Sequence, residues 1–255
     1  METVSGVKFS LAKYSGNEEL HEVEYRRLLA ENGLVHAVDV PDRFDHSQFF
    51  AKFGEFYPGP SGKLIDDIAP EAGMDDVYYG SNSRSLLPHT EGYEFEGLPP
   101  RYLALWCVTP HSGNGGETTL FDARPIVDEL SPEERAYFTD TIFDWVSSEG
   151  LRRNGLGQRA SHPILEDVDG TVLLRFSCNN LLLDQSHESA ASFVKRTKRE
   201  FERGHTAVTY LRNDFLHWDN WRVLHSRNAF TDRKRHLKRV QIRDLSDTRE
   251  PVGGR

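Results

Sequence analysis

The sequence predicts a mostly β fold in which antiparallel strands form a sandwich or a barrel, with a few helices. The first 54 residues combine two stretches of helical periodicity with one strand. From Tyr78 onward, short apolar runs alternate with Gly, Pro, Asn and Asp, and two helical stretches interrupt them. Short apolar runs separated by such turn residues are typical of antiparallel sheets.

The entry segment is predicted to run helix, strand, helix. Asn17-Glu18-Glu19 can cap the first helix, and Gly33 can end it in a left-handed turn. A strand at 34–40 follows, and Asp45 then begins a second helix that Gly54 closes. The apolar positions that follow the helical period in these helices are Leu20, Val23, Leu28, Leu29, Phe49, Phe50 and Phe53.

The remainder of the chain supplies the sheets. The capping box Ser131-Pro132-Glu133-Glu134 predicts one helix, and 186–203 forms another. The predicted buried face of the first is Tyr137, Phe138, Ile142 and Val146. The clearest strand candidates are 102–108, 118–121, 172–177, 215–218 and 239–242.

Composition limits the domain count and the kind of partner. A chain of 255 residues fits one sizeable domain, here 1–255. A net charge of −9 argues against nucleic acid as a partner and favours a small-molecule substrate. The chain has no long apolar run and no basic start before an apolar segment, so we expect a cytoplasmic protein without membrane contact. The sequence is compatible with a homo-oligomer but does not predict one.

His89-Thr90-Glu91 is the motif that most narrows the function. Alternate side chains of a strand share a face, so His89 and Glu91 can aim at one point while Thr90 turns away. His225, far downstream, can supply a third ligand from another part of the fold. Two imidazoles and one carboxylate on one side of a metal are typical of non-heme Fe(II) sites, which keep the opposite positions open.

A second triplet, His217-Trp218-Asp219, has the same form, because such triplets arise about once or twice by chance in a chain of this composition. It lies only eight residues before His225, on what reads as the same strand. A three-ligand site is hard to build from one strand. We therefore expect this pair to be structural.

Two further segments fit an iron site in order and spacing. Gly115-Gly116-Glu117-Thr118 is a tight turn that feeds a strand, and its threonine could donate a hydrogen bond to a carboxylate. Arg235-His236-Leu237-Lys238-Arg239 places two guanidinium groups four residues apart, shortly after His225. A guanidinium fork suits a dicarboxylate because it donates two parallel hydrogen bonds.

Taken together, these motifs resemble the taurine dioxygenase and clavaminate synthase-like family of Fe(II)/2-oxoglutarate-dependent oxygenases, over residues 28–242. The resemblance implies a double-stranded β-helix, or jelly-roll, with bracing helices. It implies that His89, Glu91 and His225 are iron ligands and catalytic. It also implies that 2-oxoglutarate and O2 are co-substrates, with Arg235 and Thr118 binding 2-oxoglutarate.

The resemblance also implies an activity. Related halogenases carry Gly or Ala where Glu91 stands, so the intact carboxylate favours hydroxylation of an unactivated C–H bond. Glutamate at this position resembles the free amino acid hydroxylase branch, which implies an amino acid or a derivative as substrate. Desaturation or cyclisation of a specialised metabolite by the same cofactors stays open. So do a zinc-type metallohydrolase on the same triad and a non-catalytic jelly-roll binding module.

Three residues are candidates for substrate binding. By resemblance Arg239 holds a substrate carboxylate, with Arg243 and Arg227 as rivals. Arg175 stands in an apolar strand, so it is expected to face a polar cavity or an acidic partner, and Trp218 could stack on a cationic substrate. Other residues that could shape the pocket are Arg84, Tyr93, Asn179, Asp184 and Trp221.

Overall fold

The computed structural model describes residues 7–10, 18–59, 62–76 and 79–244. Its helices are α1 Glu18–Asn32, α2 His46–Phe50, α3 Arg124–Asp128, α4 Pro132–Asp140, α5 Glu149–Arg153 and α6 Glu188–Gly204. Its strands are β1 Val7–Ser10, β2 Leu34–Val38, β3 Glu55–Tyr57, β4 Asp66–Ile68, β5 Tyr102–Thr109, β6 Thr118–Asp122, β7 Phe143–Val146, β8 Arg159–His162, β9 Leu165–Val168, β10 Thr171–Leu174, β11 Leu181–Leu182, β12 Thr206–Val208, β13 Phe215–Asp219, β14 Val223–Arg227 and β15 His236–Arg243.

Two sheets share one core. The large sheet has the order β1-β2-β13-β5-β15-β3, with β4 also paired to β15, and the small sheet has the order β12-β6-β14. Apart from the parallel pair of β1 and β2, neighbouring strands in both sheets run antiparallel. The prediction of a mostly antiparallel β fold is confirmed.

Strand β5 shows how the large sheet buries both faces. Leu103, Leu105 and Cys107 point into the core shared with the small sheet. Ala104 and Trp106 point to the other face, where Tyr25 of α1 and Phe50 of α2 cover them. The strand is thus apolar at successive positions, as expected where helices cover one face and a second sheet covers the other.

The entry helices form as predicted, with one exception. Gly33 follows α1 with φ 73°, and Asp45 caps α2 by accepting a hydrogen bond from the backbone N–H of Gln48. Val23 was expected on the buried face of α1 but is 70% exposed, because the buried face runs through Tyr25, which was not predicted, and Leu29, which was. Asn17 and the side chain of Leu20 lie outside the described residues.

The capping box of α4 is confirmed, but its predicted buried face is only half right. Ser131 Oγ accepts from Glu134 N at 3.1 Å, and Glu134 Oε2 accepts from Ser131 N at 2.9 Å. The helix ends at Asp140 because the next residue is extended. Ile142 is therefore exposed, and Val146 belongs to strand β7.

His217 and His225 lie on different strands, contrary to the expectation that one strand carries both. β13 belongs to the large sheet and β14 to the small sheet. The imidazole of His217 faces α1, where Tyr25 Oη lies 3.2 Å from Nδ1. Trp218 faces the opposite way, into the shared core. The second triplet is therefore structural, as predicted, but because it points away from His225.

The buried His217 predicts acid sensitivity of the fold. Burial lowers the pKa of His217 to about 3, while the unfolded chain protonates near 6.5. The unfolded state therefore binds the extra proton between these values, so stability is full above about pH 6.5 and falls toward pH 3. His217→Phe should flatten this dependence by up to about 1.4 kcal/mol per pH unit in denaturant titrations. An unchanged slope would contradict the assignment.

No helix in the described part of the chain combines the length and the apolar character needed to cross a membrane.

Candidate metal centre

The backbone brings two distant histidines together. His89 pairs with His225 through two hydrogen bonds, His89 N to His225 O at 3.1 Å and His225 N to His89 O at 2.9 Å. On its other side, Thr90 N donates to Phe176 O at 3.0 Å. The short extended segment that contains His89 thus lies beside β14, at the edge of the small sheet.

The three proposed ligands converge. Glu91 Oε2 lies 3.8 Å from His89 Nε2 and 3.5 Å from His225 Nε2, and one donor atom from each residue falls within 4.8 Å of the others. Donors at right angles around a metal with bonds of about 2.1 Å are about 3 Å apart, so small adjustments would complete the coordination. Thr90 turns away as expected, since its Oγ1 accepts from Phe176 N.

The protonation of the two imidazoles suits metal binding. His89 Nδ1 lies 2.8 Å from the carbonyl oxygen of Leu87, which can only accept, so Nδ1 carries the proton and Nε2 is free to ligate. Burial lowers the pKa of His225 to about 4. His225 is therefore neutral at physiological pH, as a ligand must be.

One oxygen of Glu91 is already engaged, which leaves the other for a metal. Arg239 Nη1 donates to Oε1 at 2.9 Å, and Gln241 Nε2 lies 3.4 Å from the same atom. Burial alone would raise the pKa of Glu91, but the positive charge of Arg239 opposes it, and the pKa lies well below its usual value. The carboxylate is ionised, and Oε2 faces the histidines.

Asn220, in the turn between the two sheets, fixes the backbone of Glu91. Its Oδ1 accepts from Glu91 N at 2.7 Å, while Nδ2 donates to Glu91 O at 3.0 Å and Pro100 O at 2.9 Å. The side chain is fully buried. One amide therefore ties the ligand segment to the link between β13 and β14.

Asn220→Ala should lower the free energy of unfolding by about 2–4 kcal/mol, because it leaves buried peptide groups without partners. Iron affinity should also fall by about 10- to 100-fold, as on loss of a supporting partner. The matched control is Asn228→Ala at an exposed position, with an expected change within about 0.5 kcal/mol. Equal stability of the two variants in urea would contradict this role.

A buried guanidinium without a carboxylate partner lies beside this centre. Arg235 is 2% exposed, its Nε donates to Gly116 O at 3.1 Å, and its buried Nη1 has no hydrogen-bond partner among the described residues. No described acidic side chain forms an ion pair with it. Buried cations are normally paired, so the arrangement fits a carboxylate group supplied by a ligand.

Thr118 lies in the same cavity wall and is oriented by a neighbour. Tyr210 Oη donates to Thr118 Oγ1 at 2.8 Å, which leaves the threonine proton available to an acceptor in the cavity. Gly116 stands close by at φ 75°, and a Cβ there would lie 3.3 Å from Arg235 Cδ. The glycine turn therefore lets the backbone approach the guanidinium. These groups fit the 2-oxoglutarate expected at this position.

The centre opens into a cavity of about 120 Å³ between the two sheets. Its lining side chains include the three candidate ligands His89, Glu91 and His225, together with Tyr93, Glu94, Leu105, Thr118, Ser148, Leu151, Trp218, Arg227, Arg235, Leu237 and Arg239. The cavity is thus charged around the ligand set and apolar at Leu105, Leu151 and Leu237.

Two of the three predicted substrate residues line this cavity. Trp218 is almost wholly buried with its ring 5.2 Å from the ring of His225, and Arg239 donates to Glu91 and, at 3.0 Å, to Asp66. Of the further pocket candidates, Tyr93 lines the cavity, whereas Arg84, Asn179, Asp184 and Trp221 are not among its lining residues.

Arg175 does not belong to the site. It is fully buried outside the cavity lining, and its Nε donates to Glu166 Oε1 at 2.7 Å. Nη2 donates to Gly97 O at 2.9 Å, and Nη1 lies near the carbonyl oxygens of Gly92 and Tyr93. Its acidic partner was expected, but the guanidinium holds the loop after Glu91 and does not face the cavity.

Four supporting residues were not predicted for these roles: Asn220, Tyr210, Gln241 and Glu94. Asn220 directly follows the triplet His217-Trp218-Asp219, which was expected to be structural, so its contact with Glu91 was not predicted. Tyr210 and Gln241 carry no local signal, because Gln241 reaches Glu91 through the pairing of β15 and Tyr210 reaches Thr118 from the segment that follows β12. Glu94 follows Glu91 closely enough that its place in the loop after the ligand strand could have indicated it.

Comparison with known proteins agrees with this geometry. The sequence model of the family described as "Taurine catabolism dioxygenase TauD, TfdA family" matches residues 2–241. A 3-((Z)-2-isocyanoethenyl)-1H-indole synthase from Fischerella ambigua is 26% identical over 220 residues, which are 79% of this chain and 78% of the relative. A tyrosine isonitrile desaturase from Pseudomonas aeruginosa is 26% identical over 223 residues, 78% of this chain and 72% of the relative.

Among solved structures, an asparagine oxygenase in complex with Fe(II), 2S,3S-3-hydroxyasparagine and succinate aligns with a TM-score of 0.71. The sequence identity is 19%, with 89% of this chain and 79% of that chain covered. This likeness confirms the jelly-roll fold. That relative holds Fe(II) together with succinate, and the donor set of His89, Glu91 and His225 fits Fe(II) in this chain.

Proposed function

Because the chain belongs to the TauD, TfdA family of dioxygenases, we propose that it oxidises an unactivated C–H bond of a free amino acid or an amino-acid derivative, using Fe(II), 2-oxoglutarate and O2. One observation carries the proposal. The ligand set of His89, Glu91 and His225 and the buried, uncompensated guanidinium of Arg235 line the same cavity.

Each group has a task in this reaction. Iron and 2-oxoglutarate together supply, from O2, the oxidant that removes a hydrogen atom from the substrate. His89, Glu91 and His225 would hold the metal on one face and leave the opposite face open. Arg235 and Thr118 would orient the distal carboxylate of 2-oxoglutarate. The apolar walls at Leu105, Leu151 and Leu237 would exclude water around the reacting carbon.

The proposed substrate class rests on the relatives and on charge. The names of the relatives include an asparagine oxygenase and an enzyme of tyrosine isonitrile. Arg239 lies in the cavity and could share its guanidinium between Glu91 and a substrate carboxylate. Trp218 would form the floor beneath the substrate next to His225. Both roles are proposals.

The proposal also specifies the product of the oxidation, which is either a hydroxylated or a desaturated compound. The intact carboxylate of Glu91 argues against halogenation but does not separate hydroxylation from desaturation, and the name of one relative at 26% identity specifies desaturation. Both begin with removal of one hydrogen atom, and they differ only in the fate of the carbon radical. Hydroxylation is our first proposal, and desaturation is the second.

The test uses anaerobic protein loaded with Fe(II). Addition of 2-oxoglutarate should produce a visible absorption band, and amino acids with O2 should then yield succinate. Mass spectrometry separates the outcomes, because hydroxylation adds one oxygen atom and desaturation removes two hydrogen atoms. A band that never forms, together with hydrolytic activity of the Zn(II)-loaded protein, would identify a metallohydrolase instead.

Three expectations from the sequence stay predictions: the single domain over 1–255, the cytoplasmic location and the compatibility with a homo-oligomer.

A further inference from the structure

Glu94 is the acidic side chain of the cavity that neither the metal nor 2-oxoglutarate explains. It follows the ligand Glu91 by three residues and lines the cavity together with Ser148 and Leu151. Glu91 has its place among the metal ligands, while Arg235 has its place opposite 2-oxoglutarate. The part of the cavity beside Glu94 is therefore left for the substrate.

No cation of the described chain neutralises this carboxylate. Its hydrogen-bond donors are the hydroxyl of Ser147, at 3.1 Å from Oε1, and the backbone N–H of Glu94 itself. Arg175 lies near enough to interact electrostatically, but it directs its N–H groups to Glu166 and to backbone carbonyl oxygens. Burial raises the pKa of Glu94, and the negative charge of Glu91 adds to the effect.

An ionised carboxylate in this cavity is energetically unfavourable unless a ligand supplies a counter-charge or hydrogen-bond donors. Withdrawal of a charge from water is unfavourable without a counter-charge or hydrogen-bond donors. A substrate ammonium group would supply both, and its hydrogen bonds to a carboxylate belong to the strong, charge-assisted class. Arg239, which donates to Glu91 and Asp66, also lines this cavity. Glu94 and Arg239 are thus side chains of opposite charge in one cavity, and an α-amino acid zwitterion carries one charge of each sign.

We propose that Glu94 binds the α-ammonium group of the substrate, so that this enzyme takes amino acids with a free amine and rejects isocyanides. The inference rests on the proposed function and specifies its substrate. An isocyano group is neutral and has no N–H, so it would give Glu94 neither a counter-charge nor a hydrogen-bond donor. A site built around such a hydrogen bond discriminates strongly against an analogue that lacks it. The chain would differ here from the relatives whose names specify isonitrile chemistry.

The test is equilibrium binding, measured by calorimetry on the anaerobic complex with Fe(II) and 2-oxoglutarate. The probes are the twenty standard L-amino acids and, for each one that binds, its Nα-acetyl derivative, which keeps the side chain and carboxylate but loses the cation. The wild-type protein should bind the free amine at least about 30-fold more tightly than the acetyl form. Glu94→Gln should lose about the same factor for the amine and with it the preference.

Two controls isolate the role of Glu94. Glu96→Gln removes an exposed carboxylate two residues away and should leave binding unchanged. The absorption band with 2-oxoglutarate should persist in Glu94→Gln, which shows an intact metal site. If no amino acid binds, or if Glu94→Gln keeps the preference for the free amine, the inference is overturned. Failure of the band in the wild-type protein would instead overturn the proposed function.

Discussion

Glu91→Ala is expected to abolish oxidation of the substrate. Glu91 is the carboxylate of the proposed ligand set, and its Oε2 faces both imidazoles while Arg239 donates to Oε1. Its removal leaves two ligands and replaces the counter-charge of the metal with a neutral methyl group. Iron affinity should fall by more than the about 10- to 100-fold that loss of a supporting partner costs. Iron content after dialysis and succinate formation measure the two effects.

Glu96→Ala is the matched control, because it removes an exposed glutamate from the same loop. The circular dichroism spectrum of Glu91→Ala should match that of the wild-type protein, since Arg239 keeps its ion pair with Asp66. Full succinate formation by Glu91→Ala with bound iron would show that the metal lies elsewhere.

The sequence indicated the ligand set because part of its geometry is local. Alternation along a strand aims His89 and Glu91 at one point, and the family resemblance supplied His225. The support of these ligands could not be read in the same way. Asn220 reaches Glu91 across 129 positions of the chain and Arg239 reaches it across 148 positions, so both contacts depend on how the sheets pair.

The strands show the same distinction between what the local sequence indicates and what it does not. Long apolar strands such as β5, β13 and β15 were predicted, whereas the three-residue strands β3, β4 and β12 were not, because short runs carry too little pattern. The break between β13 and β14 was missed because the turn contains no glycine or proline. Asp219 makes that turn with its side chain, as Oδ1 accepts from Trp221 N at 3.0 Å.

Arg175 shows where a correct local inference gave a wrong role. An arginine in an apolar strand indicated an acidic partner, and Glu166 on β9 is that partner. The identity of the partner depends on the hairpin of β9 and β10, which the sequence did not specify. Without that pairing, an arginine inside the core could not be separated from one that faces a substrate.

Arg235→Met is expected to weaken 2-oxoglutarate binding by about 100- to 1,000-fold. Removal of one partner of a buried charge pair costs about 2–5 kcal/mol, and each 1.4 kcal/mol is tenfold in affinity. The dissociation constant is measured anaerobically from the absorption band of the Fe(II) protein. Arg233→Met, at an exposed position two residues away, should leave this constant unchanged.

The free energy of unfolding of Arg235→Met distinguishes a ligand-binding role of Arg235 from a structural role. In the protein without ligand the guanidinium is buried, its Nη1 has no partner among the described residues, and it donates one hydrogen bond to Gly116. Arg235→Met loses that bond but also relieves an uncompensated charge, so the free energy of unfolding should change by less than about 1 kcal/mol. A large loss of stability with unchanged 2-oxoglutarate affinity would assign Arg235 to the fold. A residue whose main partner is a ligand contributes little to the free energy of unfolding measured without that ligand.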